Sequence, residues 1–495
     1  MESKLDFKKN KDMKKINKYI LSIFAVLAFM ACDDEIDRLQ PFTEGNPETF
    51  FTTVSTFQNG VDGIYRQLWN YYSSPGSGLQ GIPDILSDNV ILVQTGRRSN
   101  EVYFDYRYNP NTAGAIPLYW SEAYEAVNVA NLVIGAIDNL PDGPEKDNIL
   151  GQALAARAYA HFDLARIFAK IPTQSADANA SNGIVYVKVE DGDTADPFAQ
   201  PTRESVSSNY AEIIGDLERA SSLIGDDNGE GRLNKDGVFG ILSRVYLYNG
   251  DYQKAIDAAD EVTTALANGT ELPDVYTDAS AAGIVFELSI NTTTEAGGNN
   301  VGVLYSQSNA TSTISEYALD FDFFNSIAAD DLRRNVIQFV GTNQGNNYNA
   351  ALKFLGEAGQ VNGRVDVKVI RAAEVLLNKA EAQFELGLTA DALVSLNELR
   401  SQRFTPFTAG TEEGASLEAA IQFNRRVELC LEGHRFFDLK RRGESVSRSS
   451  NGDIIDGSGT PAEVLTLASG DFRFQLPIPT DETAANANLS QNDGY

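Results

Sequence analysis

N424RRVELCLEGHRFFDLKRRG443 carries nine charged side chains in 20 residues, and their spacing is helical. Arg425 to Glu428, Glu432 to Arg435, Arg435 to Asp438 and Asp438 to Arg441 each stand three apart, and His434 to Asp438 four, so opposite charges meet along one helix. A partly buried network of this kind fixes the register between neighbouring helices. Glu432 and Asp438 therefore read as structural residues, with no catalytic role.

Outward from this helix the chain is a series of helical pairs. Upstream, Trp120, Tyr124, Val127, Asn131, Ile134 and Ile137 recur every three or four residues and Pro141 closes the segment. A second helix is expected from about Asn148 to Ala169, ended by Pro172, and the short connection makes an antiparallel pair. Two later pairs look like tetratricopeptide repeats. Phe239, Ser243, Tyr246, Gly250 and Ala255 fall at that repeat's spacings, and Leu376, Ala380, Gly387 and Ala392 repeat the offsets, with Gln383 where an aromatic is usual. The two copies lie 137 residues apart, far beyond the roughly 34 of a tandem array. Stretches rich in Gly, Asn, Ser and Thr interrupt them: 173–195, 291–312, 341–364, 404–416 and 443–470. These are expected loops, with Gly183 to Val189 and Ile284 to Ile290 as strand-like runs forming small hairpins.

Composition narrows the chemistry. The formal charge is −29, and without residues 1–31, which hold seven lysines and three acids, it becomes −33. A field of that sign repels phosphates, which argues against a nucleic acid partner and against direct adsorption on anionic lipid. The chain has two cysteines, Cys32 and Cys430, and two histidines, His161 and His434. No internal disulfide framework is expected, nor a histidine-based zinc site or triad, and no cofactor or metal is assigned. Both histidines read as helix-surface or core hydrogen-bonding residues.

The N-terminus reads as a leader. Lys14, Lys15 and Lys18 precede an apolar run from Ile20 to Met30, and a small residue stands before Cys32. Eleven apolar residues fall short of the about 20 that span a bilayer. Residues 1–31 are thus expected to be a removed signal peptide, with Met13 a more conventional start than Met1. Cys32 after Phe29, Met30 and Ala31 resembles the lipobox of bacterial lipoproteins, in which the thiol receives a diacylglycerol anchor. The acidic run Asp33 to Asp37 resembles the export signal of lipoproteins sent to the outer face of an outer membrane.

N424RRVELCLEGHRFFDLKRRG443 resembles the signature helix of the SusD/RagB family, with Asn424 in place of a glutamate and Arg442 in place of a tryptophan. The ending F472RFQLPIPTDETAANANLSQNDGY495 resembles the same family's C-terminus. With the leader, W120SEAYEAVNVANLVI134 and R157AYAHFDLARIFAKIP172, the likeness runs through essentially the whole chain. It implies a mostly α fold, one body built on tetratricopeptide-like helical pairs with long loops and small β-hairpins. Residues 32–230 would be its N-terminal region and 231–495 its C-terminal region.

The resemblance further implies an outer-membrane lipoprotein, not an enzyme, that binds a glycan and delivers it to a SusC-like TonB-dependent β-barrel transporter. The family's site lies largely in loops after the first helix, here near Thr56 to Trp69. Trp69, Tyr71, Tyr72, Tyr103 and Tyr106 are the candidate sugar-facing rings, with Asp88 and Arg97 or Arg98 as polar partners; the alternative is that the rings cap the helical core. Tyr305, Phe321, Phe323 and Phe324 either complete the site or are buried. Two rival readings remain: a helical-repeat scaffold that binds protein, and a glycoside hydrolase using a carboxylate pair among the 66 acids after residue 31.

Overall fold

In a computed structural model of the chain the described residues are 47–73, 78–191, 193, 196, 198–290, 301–305, 316–343, 345–354, 356 and 364–495. The leader, Cys32 and the acidic run after it lie outside them, as does most of 291–312. One helical turn, Pro47–Phe50, precedes residue 53. Residues 53–495 form one compact unit.

The alanine-rich run L154AARAYAHF162 explains the centre of that unit. Small side chains let neighbouring helices approach on every side, and each residue from Ile149 to Phe168 is buried. Around this helix, α3 (Pro144–Phe168), pack α1 (Val54–Ser73), α2 (Ala115–Gly135) and α4 (Val206–Leu223). α1 buries Phe57, Val61, Ile64, Tyr65, Leu68, Tyr71 and Tyr72, a helical stripe that continues one turn beyond Trp69.

The repeat-like pairs are α5 (Lys235–Asn249) with α6 (Tyr252–Asp260), and α7 (Ala372–Glu385) with α8 (Thr389–Ser401). Gly250 ends α5 with φ 83°, a left-handed cap that favours glycine. Ala255, Ala380 and Ala392 are fully buried where the helices meet. The sequence separates the two pairs, yet α7 packs against both α5 and α6, so the interrupted repeats stack in space. Gln383, in the place of the usual aromatic, accepts from Ser395 Oγ at 2.8 Å.

The described strands are short and antiparallel: β1 (Val90–Leu92) with β3 (Tyr317–Leu319), β2 (Ile284–Leu288) with β6 (Val367–Arg371), β4 (Gln338–Asn343) with β5 (Asn346–Ala351), and β7 (Val446–Ser447) with β8 (Thr466–Leu467). Residues 284–288 of the 284–290 run are therefore a strand, but its partner is far away in sequence rather than in a local hairpin: Leu288 faces Val367 and Glu287 faces Lys368. Residues 183–189 are extended and pair with backbone only at their start, where Gly183 N–H donates to the Glu204 carbonyl and Glu204 N–H to the Ile184 carbonyl. Side chains hold the rest. His161 Nε2 accepts from Val187 N–H at 3.1 Å, Asn209 bonds both backbone groups of Ile184, and Asn131 and Arg157 reach Val187 and Val189. Burial, then the charge of Arg157, drives His161 down to about 3, so it is a neutral imidazole bridging helix and extended segment.

The signature segment is also different from one continuous helix. α9 (Gly414–Glu428) stops, Leu431 and Gly433 adopt φ of 64° and 81°, and α10 (Arg435–Arg441) begins afresh. Gly433 is required there twice over, because a Cβ would lie 2.4 Å from the Leu79 carbonyl oxygen. The C-terminal tail closes on α3: Asn492 Nδ2 donates to the Phe168 carbonyl, and Gln491 exchanges two hydrogen bonds with the backbone of Ile478.

No described helix is long and apolar enough to cross a membrane.

Candidate functional site

The break between α9 and α10 rearranges the predicted ion pairs. Only Asp438 and Arg441 pair as the spacing suggests, at 3.0 Å. Arg425 donates to Asp438 and not to Glu428. Glu428 instead accepts from Arg371, at 2.9 Å, and from Arg403, at 2.9 and 3.0 Å. Glu432 takes the other edge of Arg371 together with Lys353 and the Tyr276 hydroxyl. Burial by itself would raise the Glu428 carboxyl; Arg403, Arg371 and Arg333 hold it well below the usual carboxylate range. The same balance, set by Arg441, Arg425 and Arg442, holds Glu381 at about 2.

Both departures from the family signature are accommodated by polar contacts. Asn424 accepts from Arg333 Nη2 at 3.0 Å, and Arg442 reaches Glu381, Glu418 and Glu444.

Asp88 belongs to this frame. It is 4% exposed and accepts from Arg435 Nε and Nη2 at 2.7 and 2.9 Å, with Arg426 beside it. Burial raises its carboxyl, but Arg426 and Arg435 pull it below its ordinary value. The expectation of a sugar-facing Asp88 is corrected: its lone pairs are spent on arginines of the signature segment.

Most of the candidate rings are corrected as well. Tyr71 and Tyr72 are buried, and both hydroxyls donate to Asp163 Oδ2, at 3.0 and 2.9 Å. Tyr103 and Tyr106 are buried and donate to the carbonyls of Ala113 and Leu86. The Trp69 ring is covered by the Arg66 guanidinium at 4.4 Å. Tyr305, Phe323 and Phe324 are buried too. These rings cap the helical core, which was the alternative reading, because each hydroxyl of the four candidate tyrosines finds an internal acceptor.

What those tyrosines support is a surface loop. Between Gln94 and Asn109 the backbone takes positive φ at Arg98 (58°), Asn100 (62°) and Tyr106 (53°). Asparagine adopts this region readily, but Arg98 and Tyr106 are held there at a strain of about 1–3 kcal/mol each. The loop is clamped from beneath. Glu316, 3% exposed, accepts from Arg97 Nε at 2.9 Å and Ser99 N–H at 2.7 Å, and the Tyr317 hydroxyl donates to the Ser99 carbonyl at 2.6 Å. Arg448 lies 3.9 Å from the Phe104 ring centre and donates to the carbonyls of Ile85, Ser87 and Phe104. Above this support Arg97 and Arg98 keep 52% and 41% of their side chains exposed. Glu316 and Arg448 escaped the sequence reading, since neither belongs to a local motif and both act across more than 200 residues.

Interrupted helical repeats bound by a buried arginine–carboxylate frame, with a strained polar loop on top, define a scaffold that presents recognition loops. Residues 342–495 match the SusD family model, and residues 53–247 match the model described as starch-binding associating with outer membrane. The chain is 21% identical to SusD-like protein P38 of Formosa agariphila over 88% of its own length and 93% of that protein's. Among solved structures it resembles a SusD superfamily protein from Bacteroides thetaiotaomicron (28% identity, TM-score 0.77, 89% of this chain and 99% of that one). It also resembles a putative sugar binding protein from Bacteroides vulgatus (28% identity, TM-score 0.78, 90% and 100%). The chain belongs to the SusD/RagB family.

Proposed function

We propose that this protein binds a glycan, an oligo- or polysaccharide, at the outer surface of a diderm cell and passes it, uncut, to a SusC-like TonB-dependent β-barrel transporter. The observation that carries the reading is the match of residues 53–247 to a starch-binding, outer-membrane-associated family, because that span contains the strained loop with Arg97 and Arg98. Strain of this kind is kept where a surface must be preorganised for a ligand. Guanidinium groups donate several hydrogen bonds to the hydroxyl edge of a sugar. Cys32 would carry the lipid that holds the protein at the membrane.

The protein-scaffold reading survives as the route to the transporter. Leu386, Leu388 and Val394, on the second repeat pair, are 43%, 42% and 67% exposed, an apolar surface suited to a partner. The hydrolase reading is disfavoured, since Glu432 of the signature segment and Glu381 of α7 are bidentate partners of arginines rather than open acids.

Calorimetry or affinity electrophoresis over a polysaccharide panel tests the binding, with reducing-sugar release measured in parallel and co-purification of a β-barrel from membranes. Binding without release, plus a barrel partner, is the expected result. An absence of both ligand and partner would overturn the proposal.

A further inference from the structure

A concavity lies between α2, the segment around Phe198 and the C-terminal tail. It is a groove of about 580 Å³, lined by Trp120, Tyr124 and Glu125 of α2, by Phe198 and Gln200, and by Glu482 of the C-terminal tail. That volume is in the range of small-ligand sites, roughly 300–1,000 Å³.

Its walls are fixed. The Tyr124 hydroxyl donates to the Val185 carbonyl at 2.9 Å, Asn488 Nδ2 to the Gln200 carbonyl at 2.8 Å, and Asn486 Nδ2 to the Pro201 carbonyl at 2.8 Å. Trp120 and Tyr124 form an aromatic pair with ring centres 4.9 Å apart. On the rim the Phe198 ring is 88% exposed, the most exposed large apolar side chain among the described residues. There it offers an aromatic face to whatever occupies the groove.

The charge of the groove is one-sided. The side-chain carboxylates of Glu125 and Glu482 have no hydrogen-bonding or ion-pair partner among the described residues, and the groove has no lysine or arginine in its described lining. Arg203, in the same loop as Phe198, is spent on the carbonyls of Asn182, Gly183 and Ser490 and on the Asn492 side chain. Aromatic faces and unpaired carboxylates attract the same kind of group, an ammonium, through the ring quadrupole and through direct charge. The amide side chain at Gln200 adds hydroxyl-binding capacity.

We infer that this groove binds a saccharide bearing a protonated amine, an amino-sugar unit stacked on Phe198 with its ammonium between Glu125 and Glu482. The inference rests on the glycan reading above and names a charged ligand class for a site outside the 94–109 loop.

The test is calorimetry at pH 6 and low salt with the chain from residue 33 onward, using the hexamer of glucosamine, its fully N-acetylated counterpart, maltohexaose and tetralysine. The glucosamine hexamer is expected to bind at least about tenfold more tightly than the acetylated one, which keeps the ring and loses the charge. Phe198→Ala and the pair Glu125→Gln with Glu482→Gln should each weaken it by about tenfold or more at an unchanged melting temperature. Equal affinity for the acetylated hexamer overturns the inference. So does an affinity insensitive to Phe198→Ala, which marks diffuse attraction of a polycation to an acidic protein, and so does tetralysine binding as tightly, which marks a groove for peptide. Neutral saccharide binding that persists in Phe198→Ala leaves the proposed function standing while this site falls; loss of every saccharide from the panel removes both.

Discussion

Two regions of this protein use arginine, tyrosine and carboxylate side chains to opposite ends. In the signature region, Arg371, Arg403, Glu428 and Glu432 are buried and meet one another at hydrogen-bonding distance, so charge is converted into register. In the 94–109 loop, Arg97 and Arg98 stand half in water over a strained backbone, while the loop's tyrosines turn inward. The difference lies in burial and not in composition. A desolvated ion must be paired or the fold fails, whereas the half-exposed Arg97 and Arg98, paired with Glu316 and Glu101, keep part of their side chains in water, where an ion pair is worth little.

The sharpest way to break the contrast is Glu428→Ala, which takes the carboxylate from Arg403 and one of two from each of Arg333 and Arg371 in the interior. Arg371 keeps Glu432 and Arg333 keeps Asp331, so the loss falls mainly on Arg403; it should cost about 3 kcal/mol and appear as loss of soluble protein or a large drop in the denaturation midpoint. A fall below 1 kcal/mol, on the order of a surface pair, would mean that the frame is not what holds α9 in place.

Acid should attack the same region next. Glu381 sits at about 2 in the folded chain against an ordinary value of 4.5, so its contribution is complete above pH 4.5 and disappears as the pH falls through about 2. On the order of 3 kcal/mol of stability goes with it. Equilibrium unfolding followed against pH should show a steep loss across that window, and Glu381→Gln should flatten it.

Asp88 sits on the boundary of the comparison. Asp88→Ala should destabilise by about 2–3 kcal/mol by unpairing Arg435 and Arg426, as measured by thermal denaturation. An unchanged melting temperature with lost saccharide affinity would return Asp88 to the binding loop.

The smallest effect is expected at Arg98. Arg98→Gly relieves a positive φ and should leave stability within about 1 kcal/mol, with the gain from relaxed strain offset by unfolded-state entropy. Glycan affinity should fall in the same variant. Unaltered affinity across the panel would separate the strained backbone from ligand binding.

Periodicity and small-residue spacing made the helices legible: α2, α3 and both repeat-like pairs follow from apolar positions every three or four residues, because a helix must bury one face whatever surrounds it. The signature and the tail made the family legible. The site was far less so. Tyr71, Tyr103 and Tyr106 are the residue type a sugar site needs, and only their depth beneath the surface shows that they serve the core. Equally, Gly433 looked like a helix residue until the close approach of Leu79 made its left-handed turn necessary.

Taken alone, the amino-acid order determined the class of elements and their approximate limits, since these rest on local propensity and composition. The tertiary structure decided which charges pair. Arg371 reaches Glu428 and Glu432 across about 60 residues, and Glu316 reaches Arg97 across about 220, and no local rule carries such distances. Ionic partners are chosen where desolvation makes choice unavoidable, and that depends on which helices have already packed together.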